Sequence, residues 1–202
     1  MNRLRVGLAM TGSYCTFDKV LDAARRLCGE YEVTGIMSPN AAGVDTRFGP
    51  AAEFRSRLEE MTGRGIITTI PQSEPIGPKH MFDVLLIAPC TGNTLAKLAS
   101  GVTDTCVTMA AKSHLRNGRP VLIAVSTNDG LSGSAANIGS LLVRKNIYFL
   151  PFYQDDPEKK PSSLAADYDL LEAAIDAAYE GRQLQPVLAC PSFLERKEAK
   201  EL

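Results

Sequence analysis

Val84-Leu85-Leu86-Ile87-Ala88 is a run of five apolar residues with no polar position inside it. A strand wetted on one face alternates apolar and polar side chains, so an unbroken run implies cover on both faces. Pro120-Val121-Leu122-Ile123-Ala124-Val125 reads the same way. Strands buried on both sides belong to parallel sheets flanked by helices. Both runs fall far short of the roughly 20 residues that cross a membrane as a helix.

Outward from these two runs, short β-branched segments alternate with helical patterns. Strands are predicted at 4–10, 32–37, 65–70, 83–88, 120–126 and 146–150. Helices are predicted at 16–29, 50–62, 91–99, 105–115 and 131–144. A last helix is predicted over 162–180, with Ser162 or Ser163 as N-cap and Gly181 as its stop. This rhythm predicts an α/β fold, a three-layer, doubly wound parallel sheet of Rossmann-like type. Turn residues mark 38–49, 71–78 and 153–161 as loops. Without an internal repeat or a Gly/Ser linker, residues 1–188 are expected to form one domain and 189–202 a charged, solvated tail.

Composition narrows the function. The 202 residues carry 22 Lys and Arg against 23 Asp and Glu, so no basic excess points to nucleic acid or to an acidic membrane. The N-terminus runs directly into a strand pattern and lacks the apolar segment of a signal peptide. The five cysteines, Cys15, Cys28, Cys90, Cys106 and Cys190, are scattered and form no C-x-x-C pair. That argues against a disulfide framework and against a metal site, and predicts a reducing, cytoplasmic setting.

Ligands of open parallel sheets bind in the crevice at the carboxyl ends of the strands. Here the residues just past each strand are small and hydroxylated: Thr11-Gly12-Ser13, Ser38-Pro39-Asn40, Cys90-Thr91-Gly92-Asn93-Thr94 and Ser126-Thr127-Asn128-Asp129. Hydroxyls and open N–H groups at helix starts hold phosphate, yet the same residues also serve simply as helix caps. Neither G-x-x-x-x-G-K-[ST] nor G-x-G-x-x-G is present, so a monophosphate ligand suits the pattern better than a triphosphate or a dinucleotide.

The run from Ala88 to Asp104, Ala-Pro-Cys-Thr-Gly-Asn-Thr-Leu-Ala-Lys-Leu-Ala-Ser-Gly-Val-Thr-Asp, resembles the A-P-x-T/S-x-N-T-x-x-K-x-A-x-G-x-x-D signature of the flavoprotein family. That family includes phosphopantothenoylcysteine decarboxylase, lantibiotic peptidyl-cysteine decarboxylases and flavin prenyltransferases. Thr11-Gly12-Ser13 and the strand–helix rhythm fit it as well. The resemblance implies FMN as cofactor, with Thr11, Gly12, Ser13 and Ser38 on its phosphate and ribityl chain. Thr91, Asn93 and Thr94 would border the isoalloxazine and the substrate, and Ser126 would also bind the cofactor. Asp104 would order a turn or a subunit contact in a homo-oligomer.

The departures carry information too. After the fifth predicted strand the decarboxylases have P-x-M-N-x-x-M, where this chain has Ser126-Thr127-Asn128-Asp129-Gly130-Leu131. Their catalytic His lies in a loop where this chain has Gln72, Ser73 and Glu74. Asn93, Asn128 and Glu74 are therefore the catalytic candidates, and cysteine decarboxylation or prenyl transfer is the weaker alternative. Arg47 offers a planar fork to a substrate carboxylate, against a plain reading as a solvated loop arginine. Cys90 reads either as a thiolate at a helix start or as a buried filler. His80 and His114 read as structural, and Lys79, Lys112 and Arg116 as surface charges.

Thr11-Gly12-Ser13-Tyr14-Cys15-Thr16, Asp45-Thr46-Arg47-Phe48-Gly49, Glu74-Pro75-Ile76-Gly77-Pro78-Lys79 and Asp156-Pro157-Glu158-Lys159-Lys160-Pro161 narrow the resemblance to one subfamily. It comprises the B subunits of two-subunit synthases that make dipicolinic acid. That resemblance implies oxidation of a cyclic dihydro- or hydroxytetrahydro-dicarboxylate in the mother cell of a sporulating bacterium. An A subunit would be the partner and would supply the NADP site. A non-catalytic subunit that activates the A chain is the remaining alternative.

Overall fold

The structure, a computed structural model, describes residues 3–189; Cys190 and most of the predicted tail lie outside the described residues. Strand β3 (Val84–Cys90) is buried at all seven positions, as its unbroken apolar run requires. It lies between β1 (Arg5–Met10) and β4 (Val121–Thr127), and β2 (Glu32–Met37) borders β1 on the far side. These strands are parallel, with Val6 opposite Val84 and Leu86 opposite Leu122. The short β5 (Ile147–Phe149) adds a parallel partner to β4 over Val121 to Ile123.

The helices cover the two faces. On one side α1 (Phe17–Glu30) buries Phe17, Val20, Leu21, Ala24 and Leu27, a stripe at helical spacing. α3 (Ala51–Thr62) and α8 (Leu171–Tyr179) share that core, α8 through Leu171, Ala174, Ile175 and Ala178. The opposite core gathers α5 (Gly92–Ser100), α6 (Cys106–Leu115) and α7 (Ala135–Leu142) under Leu85, Ile87 and Ile123. Each fully buried Leu or Ile contributes roughly 1.5–3 kcal/mol. The sheet is therefore fixed by cover on both sides.

Five of the expected elements depart from the pattern. The strand expected at 65–70 shrinks to one bridge, Ile36 with Ile67. The chain then turns into α4 (Ile70–Ser73), which starts in a capping box between Thr69 and Gln72 with Pro71 in the first turn. The loop expected at 71–78 accordingly holds α4 and a 3-10 turn, Glu74–Ile76. The loop expected at 38–49 opens with the short helix α2 (Pro39–Gly43).

The helix expected over 162–180 is instead strand β7 (Leu164–Ala166), a 3-10 turn and the shorter α8. β7 runs antiparallel to the end of β4 and to β6 (Phe152–Tyr153), so the seven-stranded sheet is mixed rather than wholly parallel. Ser162 and Ser163 cap no helix. The helix expected from 131 begins four residues later, at Ala135, after a turn.

Candidate functional site

Four hydroxylated segments meet at the carboxyl edge of the sheet. Thr11 follows β1, and its Oγ1 donates to the Pro89 carbonyl at 2.7 Å while accepting the Thr91 N–H at 3.1 Å. Its own N–H reaches the same carbonyl at 3.3 Å. The ends of β1 and β3 are thus clamped side by side. The Ser38 N–H donates to the Met10 carbonyl at 3.0 Å, and its hydroxyl caps α2 by accepting from Ala41.

Thr91 is the N-cap of α5, accepting from the Thr94 N–H at 3.2 Å, and its hydroxyl lies 3.0 Å from that of Thr94. A helix leaves its first N–H groups without intrahelical acceptors. Thr91 satisfies Thr94, and the N–H groups of Gly92 and Asn93 remain as donors at the mouth of the cleft. Thr11, Gly12, Ser38, Thr91, Asn93 and Thr94 line one open cavity of about 230 Å3. Pro39, Asn40 and Thr105 complete its wall. Thr105 escaped the sequence reading as a site residue, although its place as N-cap of α6, boxed with Thr108, was legible.

Beside the cavity, the Ser126 hydroxyl binds those of Ser13 at 2.7 Å and Thr16 at 2.8 Å. Past β4, the Asp129 carboxylate accepts from the Thr127 hydroxyl at 2.5 Å and from Ser134 at 2.9 Å. Those bonds, Thr127 first, hold its pKa below the usual carboxylate value against the opposing pull of burial. Asn128, between Thr127 and Asp129, is exposed.

Other candidates stand apart from the cleft. Arg47 is exposed on a tight Thr46–Gly49 turn, its guanidinium 4.9 Å from the Phe48 ring centre. Glu74 lines a separate cavity of about 420 Å3 beside α6, with Met109, Lys112 and Arg116. Cys90 is wholly buried, which pushes its thiol well above the ordinary value and leaves the filler reading. His80 is exposed and His114 fully buried. Asp104 is exposed and pairs with Lys97 at 2.9 Å.

A largely parallel α/β sheet with a hydroxyl-lined cleft at the carboxyl edge of its strands is the frame of a nucleotide- or flavin-type ligand site. The chain belongs to the flavoprotein family, whose model matches residues 1–150. Within that family it is 45% identical over 185 residues to the B subunit of dipicolinate synthase from Bacillus subtilis (strain 168), covering 91% of this chain and 92% of that one. The crystal structure of the corresponding B subunit from Bacillus halodurans superposes with a TM-score of 0.85 at 42% identity, over 94% of this chain and 99% of that one. The FMN-dependent cysteine decarboxylase SpaF shares the fold, with a TM-score of 0.63 at 21% identity over 87% and 97% of the two chains. No helix among the described residues is long and apolar enough to cross a membrane.

Proposed function

We propose that this chain is the B subunit of a dipicolinate synthase and that its cleft holds FMN. One observation carries the reading: eight hydroxyl, amide and glycine positions converge on one cleft in a chain 45% identical to such a protein. The donor set suits a flavin mononucleotide. Thr11, Gly12, Ser13 and Ser38 would hold the phosphate and ribityl chain, and the start of α5 offers N–H groups to an anion or a ring carbonyl. Thr91, Asn93, Thr94 and Ser126 would flank the ring. Bound FMN would supply a two-electron acceptor.

The substrate in this reading is a cyclic dihydrodipicolinate that loses hydride and proton to become the aromatic dicarboxylate, or a hydroxytetrahydro-dipicolinate that first loses water to reach that dihydro ring. Asn128 orients the ring, and Arg47, on its exposed turn apart from the cleft, grips one carboxylate by its planar fork where an assembly brings that turn to the substrate. Glu74 takes the proton only where an assembly, a homo-oligomer or the partnered complex, brings its cavity to a substrate. The chain has no dinucleotide fingerprint, so the NADP site belongs to an A subunit. The cytoplasm of the mother cell is the setting.

The test is dipicolinate formation with NADP, by this chain alone and with the A subunit, alongside the visible spectrum of the purified protein. A flavin spectrum and product only with both subunits are expected. Full turnover by this chain alone, or no flavin uptake in either state, refutes the reading.

A further inference from the structure

A second groove runs between the C-terminal halves of α5 and α6, with a volume of about 450 Å3. Leu98, Val102 and Leu115 form its apolar lining, and Lys97, Lys112, Arg116 and Arg144 stand around it. Val102 is 42% exposed, and Leu98 and Leu115 are half-buried against the core with part of each surface open. Clustered exposed apolar side chains rimmed by charge mark places where another molecule sits.

The charge on this face is one-sided. The chain as a whole is nearly balanced, 22 cations against 23 anions, yet four cations and no carboxylate line this groove; Asp104 pairs with Lys97 at 2.9 Å, and Glu74 is the carboxylate that lines the neighbouring cavity. Arg144 is spent on the Leu98 and Ala99 carbonyls, capping α5 without neutralising its own charge. Lys112 and Arg116 are exposed and form no ion pair among the described residues. Their position at the end of α6 suits the helix dipole. The dipole does not account for the open apolar floor beside them.

Lys112 and Arg116, one turn apart, also border the cavity of about 420 Å3 on the other flank of α6. The two hollows therefore make a track across the helix, longer than a small anion needs. We propose that this track is a docking site for another protein chain, entered by an acidic amphipathic segment. Its apolar side chains cover Leu98, Val102 and Leu115, and its carboxylates meet Lys112 and Arg116. Charge complementarity selects an acidic occupant, and the partly exposed apolar floor of Leu98, Val102 and Leu115 selects an amphipathic one. Docking here leaves the cleft at the start of α5 open but occupies the cavity that Glu74 lines, so the docked segment and a substrate at Glu74 exclude one another.

The probe is a synthetic helix-forming peptide with Leu on one face and Glu on the other, titrated by fluorescence anisotropy onto the full chain. A scrambled peptide of equal composition is the control. The amphipathic peptide is expected to bind at least tenfold more tightly than the scrambled one. Lys112→Glu with Arg116→Glu is expected to abolish that preference without shifting Tm; if charge reversal does shift Tm, Lys112→Ala with Arg116→Ala replaces it. Equal binding of both peptides, or unchanged binding by the variant, overturns the proposal. So does sedimentation showing self-association of the parent, lost in the variant, with no peptide binding; the face would then join copies of this chain.

Discussion

The hydroxyls of Ser13 and Ser126 lie 2.7 Å apart although 113 positions of sequence separate them. Thr16 reaches the same Ser126 oxygen at 2.8 Å, so the turn after β1 and the end of β4 are tied at one point. Ser13 thus stands between the two loops that would close on a flavin phosphate.

Ser13→Asp sets a carboxylate at this junction. Ser126 and Thr16 can both donate to it, so the fold is expected to survive. A phosphate nearby is repelled by about 1–4 kcal/mol, depending on how much water screens the pair. FMN titration is expected to show affinity at least tenfold weaker than in the parent. Equal affinity would place the phosphate elsewhere.

Gly92, the first residue of α5, fits under the loop that follows β4. A Cβ there would lie 2.5 Å from Ser134 Oγ and 2.8 Å from both Asp129 Oδ1 and Thr127 Oγ1. Gly92→Ala must displace either that hydroxyl–carboxylate cluster or the start of the helix carrying Asn93. A loss of roughly 1–3 kcal/mol in denaturant unfolding is expected, with weaker flavin binding. Gly139→Ala is the control. It lies within α7 with nothing in 4 Å of its added Cβ, and it should gain about 0.5–1 kcal/mol.

Arg47 sits on a turn closed by two backbone bonds of 3.1 Å between Thr46 and Gly49, and it forms no ion pair among the described residues. Its guanidinium rests against the Phe48 ring, 4.9 Å from the centre, and makes no side-chain hydrogen bond among the described residues. Arg47→Lys keeps the charge and loses the planar geometry. In the complex with the A subunit, KM is expected to rise by an amount worth roughly 1–3 kcal/mol of binding. An unchanged KM removes Arg47 from the substrate.

Stability should fall in mild acid because of His114. Its ring is fully buried, and its nitrogens have no hydrogen-bond partner. Burial, then the charge of Arg119, lowers its pKa from 6.5 to about 4, against a weaker upward pull from the Pro120 backbone and Asp83. Between those values the unfolded chain binds a proton that the fold excludes. Stability is therefore lost as pH falls from about 6.5 to about 4, by roughly 3 kcal/mol in all. Asp83 adds a second loss at lower pH. Burial pulls its pKa up, but bonds from Arg5 and Arg119 outweigh that and hold it at about 2, so its share disappears below 3.8. Denaturation midpoints across pH 4–7 should slope in the parent and flatten in His114→Leu. Parallel curves would acquit His114.

The places where the sequence misled are physical contests between signals. Ile66-Ile67-Thr68-Thr69-Ile70 has strand composition, but Thr69, Pro71 and Gln72 together make a helix start, and that start won. Leu164-Ala165-Ala166 reads as helix, yet the far end of β4 offered Ser126 and Thr127 an open edge, and pairing overrode propensity. Glu74 was legible as a carboxylate in the loop before β3; its separate cavity was not, because α4 turns that loop toward α6.

The sequence by itself determined the layers, the parallel core and the hydroxylated strand ends, because burial pattern and turn chemistry are local or nearly so. It also marked Thr11, Gly12, Ser38, Thr91, Asn93 and Thr94 one by one. Only the tertiary structure decided that these six share a cleft, that Ser13 meets Ser126, and that Asp129 sits over Gly92. Those contacts join residues far apart in the chain. Their distances depend on strand order and crossover, which no local pattern encodes.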